Sequence, residues 1–332
     1  MTRYLTVLLL LVAVIPATAR EEAKPTPTKL ECRHTKGEAR DYVLTWKTSG
    51  KVTAKGQPAR ASSQVLSIWW RDVVGAVDDY GVATLDRRYK AIRYEVRSQL
   101  LKVIVDTRDG ADDGSKKNDG LRRLFTAAIG RALTVKVDRR GRIISSQGMQ
   151  AVLDGIRAKH GKESWAILPL AMVEGVLKTE PTTRPLPGHL RVLPETSPDK
   201  TSEVLTFRTW SPARTTRLAV EGRRVRKDDR RFLKVKCARF AYEGGLVVRT
   251  RSEASAVVKG MRYVTRVNGS SASGELLVDL ATGHVLRQTL DLDYTLVHHE
   301  MAPSATLTKK TVEAAPTVAT EKVTEKITID RQ

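Results

Sequence analysis

The sequence predicts an α+β protein built on a large, twisted antiparallel β-sheet, with about three short helices in its first half. Three observations carry this. A turn recurs three times, as Val77-Asp78-Asp79-Tyr80-Gly81-Val82, as Val137-Asp138-Arg139-Arg140-Gly141-Arg142-Ile143, and as Val278-Asp279-Leu280-Ala281-Thr282-Gly283-His284-Val285. In each, Asp opens the turn by accepting backbone N–H bonds and Gly supplies the positive φ that returns the chain antiparallel. Alternating apolar and polar residues flank these turns, the period of half-buried strands. Finally, 332 residues are enough for one large or two medium domains with a real core, and with aromatics at 5% that core leans on Val, Leu, Ile and Ala.

Residues 1–19 read as a secretory signal peptide. Arg3 makes a positive start, residues 5–15 are apolar, and Ala17-Thr18-Ala19 is a small-x-small site, so cleavage is expected after Ala19. The apolar run is too short to span a bilayer comfortably. Residues 20–40 read as a flexible leader. Residues 41–178 then carry strands and helices. Tyr42, Leu44 and Trp46 alternate with Val43 and Thr45. Residues 65–77 form a second run, in which Trp69 and Trp70 must face opposite ways. In residues 82–96 strict alternation puts Tyr89, Ala91, Arg93 and Glu95 on one face and Lys90, Ile92, Tyr94 and Val96 on the other. Residues 100–105 make a fourth strand.

A polar break at 106–120 contains Asp109, Asp112 and Asp113 but lacks the closing Glu of a calcium loop, and reads as a solvated loop. Asn118 or Asp119 caps a helix with Leu121, Leu124, Phe125 and Ala128 on one face. Leu133, Val135 and Val137 run into the central turn, and Ile143 and Ile144 return from it. A second helix shows Met149, Val152, Leu153 and Ile156 on one face and ends near Gly161. A third is expected at about 168–178. Residues 179–200, with Pro181, Pro185, Pro187, Pro194 and Pro198, form a crossover or a domain boundary. Residues 201–300 are a β-rich half, and 301–332 a low-complexity tail whose end, 318–329, reads as a closing edge strand blunted by Lys and Glu.

The segments VDDYGVATLDRRYKAIRYEV, LTVKVDRRGRIISSQG and GELLVDLATGHVLRQTLDLDYTL, with the Pro-rich crossover before Trp210, resemble a family of exported, β-rich bacterial proteins of unknown function. The likeness covers about residues 42–296. It implies export and a β-rich architecture, and it brings no activity and no functional residues with it. The two halves could pair into one curved sheet, a half-barrel like those of envelope lipid carriers, an analogy of fold alone.

Chemistry-bearing motifs are thin. Gly269-Ser270-Ser271-Ala272-Ser273-Gly274 lacks the spacing of a nucleophile elbow and reads as a hairpin loop. Ser197-Pro198-Asp199-Lys200 has Ser-x-x-Lys spacing without its companion motifs. His298-His299-Glu300 offers too few ligands for zinc and reads as surface near a strand end, with His298 and Glu300 on one face and His299 on the other. His34, His160, His189 and His284 are scattered. No phosphate loop is present. The expectation is therefore no catalytic residue, no metal and no cofactor. Asp78-Asp79 and Asp228-Asp229 read as turn residues. With export, Cys32 and Cys237 are either a disulfide or two thiols.

The dense feature is basic. Lys+Arg total 58 against 37 Asp+Glu, for a net charge of +21, of which the leader removes only Arg3. Twelve Lys or Arg fall between Arg208 and Arg239. The pattern suggests a hairpin with its tip at 223–230, presenting Arg223, Arg224, Arg226, Lys227, Arg230 and Arg231 as an anion-binding platform. Without interleaved aromatics the patch does not suit nucleic acid. An anionic envelope polymer or lipid headgroup fits better, as does peripheral membrane contact. The functional expectation is an exported, non-enzymatic protein, periplasmic or extracellular, that binds an amphiphile or an anionic envelope polymer. An amphiphile would lie between sheet and helices, against Met149, Val152, Ile156 and Met172. The alternatives are a structural or interaction module of the envelope and, third, a hydrolase whose residues meet only in the fold.

Overall fold

A computed structural model describes residues 30–99, 102–108, 119–160, 205–208, 217–248, 255–258, 261–302, 304–305 and 308–332. The signal peptide and its cleavage site after Ala19, the leader up to residue 29, Asp109 to Asp113, the third expected helix with Met172, the 179–200 crossover with Ser197-Pro198-Asp199-Lys200, His189 and Trp210 lie outside the described residues.

Among the described residues thirteen strands form one sheet: β1 (Ala39–Ala54), β2 (Arg60–Val77), β3 (Ala83–Ser98), β4 (Lys102–Asp106), β5 (Ala132–Val137), β6 (Ile143–Gln147), β7 (Leu205–Arg208), β8 (Arg217–Phe232), β9 (Val235–Val248), β10 (Ser255–Val258), β11 (Met261–Asp279), β12 (Val285–Met301) and β13 (Thr317–Arg331). The order is β6-β5-β3-β2-β1-β13-β12-β11-β9-β8-β7, with β4 beside β3 and β10 beside β11. Among the described residues all strand pairings are antiparallel. Each half is a meander, and the seam between them is the β1–β13 pair, from Tyr42 opposite Arg331 to Ala54 opposite Ala319. The tail strand is thus central, not an edge. Its Val323, Ile327 and Ile329 are buried, which requires sheet on both sides, while Lys322 and Lys326 face out.

Helices α1 (Asp119–Ala128) and α2 (Met149–His160) lie in the first half, and α3 (Lys309–Ala314) lies in the tail, where none was expected. The faces read from spacing hold: Leu121, Leu124, Phe125, Ala128, Met149, Val152, Leu153 and Ile156 are all buried. They join one apolar cluster with Leu66, Ile68, Tyr94, Val96 and Val105 of the first half and Tyr242, Leu290, Leu292, Leu296 and Ile327 of the second. Truncating Phe125, wholly buried here, to Ala would cost about 3–5 kcal/mol. The opposite face is charged and laced by cross-strand ion pairs, Asp41 with Arg71 and Lys90, Arg287 with Asp330, and Lys326 with Asp291. That is the reverse of a membrane barrel, whose outward band is apolar.

Three strand readings are corrected. A bulge between Trp69 and Trp70 in the β2–β3 register puts Tyr89 opposite Trp70 and Ile92 opposite Ile68. Tyr89 therefore shares the buried face with Ile92, Tyr94 and Val96, and Lys90 turns outward. The Gly269–Gly274 stretch is no hairpin loop. It lies inside the 19-residue β11, where Gly269, at φ 76°, makes a bulge between Val267 and Ser270. Ser270 Oγ then accepts from Leu246 N at 2.9 Å. The basic hairpin turns later than expected. β8 runs unbroken through 223–230, and the reversal falls at Leu233-Lys234, both at positive φ.

The three Asp–Gly turns form as read. Asp78, Asp138 and Asp279 accept turn N–H groups at 2.8–3.0 Å, and Gly81, Gly141 and Gly283 have φ between 70° and 78°. Residues 30–38, expected to be flexible, are a strap across this end of the sheet. Cys32 N donates to Arg139 O at 2.6 Å, Arg33 N to Thr282 O at 2.8 Å, and Gly37 N to Val74 O at 2.8 Å.

Candidate functional site

The first candidate is the groove at α1 and α2. The α1 turns bring Arg122, Arg123, Thr126 and Ala127 to a hollow of about 440 Å³ shared with Lys159 of α2. Ala127 and Lys159 also border a second hollow of about 340 Å³, lined by Arg131, Ala132, Gly148, Ala151, Val152, Gly155 and Ile156. The second hollow exists because α2 carries small residues at Ala151 and Gly155; a Cβ added at Gly155 would meet nothing within 4 Å. Val152 and Ile156 form its buried floor. Arg122 pairs with Asp119 at 2.9 Å, while Arg123, Arg131 and Lys159 are exposed around the opening. Of the four residues expected against an amphiphile, Val152 and Ile156 border this hollow, Met149 is buried, and Met172 is outside the described residues.

The second candidate is a polar group on the buried face at the seam. Glu325 of β13 is 3% exposed. Tyr294 Oη donates to one carboxylate oxygen at 2.6 Å and Trp46 Nε1 to the other at 3.0 Å. Burial, the dominant cause, raises the carboxyl pKa to about 7, against the pull of those two donors. Nearby, His298 Nε2 lies 3.6 Å from Glu321, and its Nδ1 lies 3.0 Å from Thr265 Oγ1. His298 and His299 are both buried, not at the surface as expected: Ala315, just past α3, covers His299, its carbonyl 3.0 Å from His299 Nδ1, while His298, on the other face of β12, lies against Thr265 and Glu321. With Glu325 shut away from solvent, the group suits holding a proton better than meeting a substrate.

The third candidate lies under the strap. Cys32, His34 and His284 place one ligand atom each within 4.8 Å of one another. The two imidazoles are 5.0 Å apart, centroid to centroid. Cys32 Sγ donates to Gly283 O at 3.2 Å, and His284 Nε2 is 2.7 Å from Arg33 O. His34 Nδ1 is 3.3 Å from an Arg40 nitrogen, and Arg40 is held by Glu38. Burial, then the Arg40 charge, lowers His34 to about 4 and His284 to about 3, so both rings are neutral. The sequence offers no spacing that reveals this group, since Cys32 and His284 are 252 positions apart.

Of the two alternatives for Cys32 and Cys237, the structure shows two separate thiols and no bridge between them. Ala238 packs in the same cluster as Cys32, and its neighbour Cys237 therefore faces the other side of β9, with Phe232, Val235, Leu277 and Leu286. The expected anion platform also divides. Arg224, buried beside Tyr242, and Arg226 lie on one face of β8, and Arg223 and Lys227 on the other. Arg226 pairs with Asp229 at 3.0 Å, and Arg230 is bound by Glu275, which also takes Arg239 at 2.5 Å. Arg231 stands opposite Lys236 near the turn. Burial, with the Arg140 charge added, lowers Arg224 to about 10.

These features define an open, antiparallel-sheet protein with α1 and α2 on its apolar face. No family model matches the sequence, and no curated protein does. Among solved structures, the chain is similar to one described as lipid–protein interactions in lipovitellin, at TM-score 0.39 and 9% identity over 90% of this chain and 25% of that one. The chain thus spans about a quarter of that protein's length. It is also similar to the outer membrane protein OprG of Pseudomonas aeruginosa, at TM-score 0.20 and 6% identity over 90% and 98% of the two chains. A Salmonella typhi OmpF complex with daunomycin gives TM-score 0.20 and 7% identity, over 91% and 100%.

Proposed function

We propose that the protein is an exported, non-catalytic binding protein of the cell envelope, periplasmic or extracellular, that holds an anionic amphiphile in the groove at α1 and α2. The observation that carries this reading is the pairing of an apolar hollow, floored by Val152 and Ile156, with the cations Arg131 and Lys159 at its opening and Arg123 in the adjoining hollow. An acyl chain gains about 0.8 kcal/mol per buried CH₂, and a carboxylate or phosphate head gains from the cations. The test is titration of the mature protein with dansyl-undecanoic acid, an anionic chain whose fluorescence rises in an apolar site. Gly155→Leu fills the hollow and improves helix propensity, so it should abolish the signal without loss of stability. Lys159→Glu with Arg123→Glu should weaken binding about tenfold or more. Unchanged binding in Gly155→Leu would remove the groove from consideration.

A second reading keeps the anionic envelope polymer. Lys51, Arg97 and Lys322 border a dish of about 650 Å³ with Ser49, Ser63 and Thr324. Salt-sensitive binding of polyglutamate, lost in Lys51→Glu with Lys322→Glu, would favour it over the groove.

A further inference from the structure

We infer that Cys32, His34 and His284 form a binding site for a single copper(I) ion. The donors come from two distant segments that the fold fixes against each other. The strap brings Cys32 and His34, and the third Asp–Gly turn brings His284. Three ligand atoms within 4.8 Å of one another match the spread of a three-coordinate ion after a small contraction.

The surroundings suit a metal on each ligand. His284 turns its Nε2 to the Arg33 carbonyl at 2.7 Å, which puts the ring proton there and leaves the Nδ1 lone pair as the one to bind an ion. His34 Nε2 is buried and has no hydrogen-bond partner. Binding at Nε2 moves the His34 proton to Nδ1, and the long 3.3 Å contact from Arg40 gives way. Glu38 still holds the guanidinium through its other nitrogens. Cys32 releases its thiol proton to solvent as the sulfur binds the ion, and gives up its weak bond to Gly283 O. His34 is half-buried, so the strap side of the cluster lies close to the surface.

The chemistry selects copper(I). One thiolate and two imidazoles are soft and borderline donors. Zinc in structural sites takes four ligands, and the cluster supplies three. Arg40 stands beside the site, so a monovalent ion that the thiolate neutralises is favoured over a divalent one that leaves a positive charge.

The test is anaerobic titration of reduced, tag-free mature protein with copper(I) against bicinchoninate. The expected result is one ion per chain. Cys32→Ser should weaken binding more than about a hundredfold, while Cys237→Ser leaves it unchanged. Cys32→Ser binding as tightly as the natural chain, or zinc displacing the copper, would overturn the assignment. X-ray absorption of the loaded natural protein decides the matter independently of any variant's folding. One sulfur and two imidazole nitrogens are expected, and any other shell refutes the site.

Discussion

Arg87 grips Asp72 through two hydrogen bonds, of 2.6 and 2.8 Å, on the buried face between β2 and β3. The Arg87 guanidinium also lies 5.0 Å from the Trp70 ring centroid, and Trp70 Nε1 donates to Asp72 at 3.3 Å. Both charges are almost fully enclosed, at 2% and 6% side-chain exposure. Removing one leaves the other buried alone. Arg87→Met should therefore cost about 3–5 kcal/mol in urea unfolding, whereas Arg87→Met with Asp72→Leu should recover most of that loss. A double variant no better than the single would show that the pair adds net stability.

Glu325 makes stability depend on pH. Its folded pKa, about 7, lies above the ordinary 4.5, so the folded state binds the proton more tightly. The contribution is complete below about pH 4.5 and is lost as pH rises through 7. The loss is on the order of 3 kcal/mol. Glu325→Gln should flatten this window in melts taken from pH 4 to 8. An unchanged slope would assign the dependence to other groups.

Gly283 stands at φ 70°, and a Cβ there would drive into the Glu31 carbonyl and the Cys32 amide. Gly283→Ala should release the strap while the sheet stays folded. Amide exchange at Cys32 and Arg33 should speed up by about tenfold or more, the equivalent of 1.4 kcal/mol. Protection equal to that of the natural chain would mean that the turn can shift to admit the methyl.

The β8–β9 reversal uses Leu233 at φ 48° and Lys234 at φ 66°, with Leu233 65% exposed. Two side-chain residues in left-handed conformations are costly where Asn-Gly fits. Leu233→Asn with Lys234→Gly should stabilise by about 1 kcal/mol, read as a raised Tm.

Local signals in the sequence foretold local structure. The Asp–Gly turns, the faces of α1 and α2 and the opposed Trp69 and Trp70 all follow from neighbours in the chain. Features set by partners did not. The bulge that turns Tyr89 inward depends on where β3 meets β2, and Gly269 closes a turn or kinks a strand according to what lies alongside. The Lys and Glu of 318–329 suggested a blunted edge, because alternation alone does not tell one partner from two. Cys32, His34 and His284 carried no spacing at all, since closure of the sheet's end is what assembles them. The basic run at 208–239 was visible as charge, but its division between two faces was fixed by the β8–β9 register.

The seam between β1 and β13 has a consequence for how the chain is made. β1 leaves the ribosome early and β13 follows after all the other strands. Until then each half-meander carries one long bare edge, able to zip onto a neighbouring chain. The complete sheet therefore forms only when β13 lies between β1 and β12, and the interval before that pairing is when the chain is most open to edge-to-edge association.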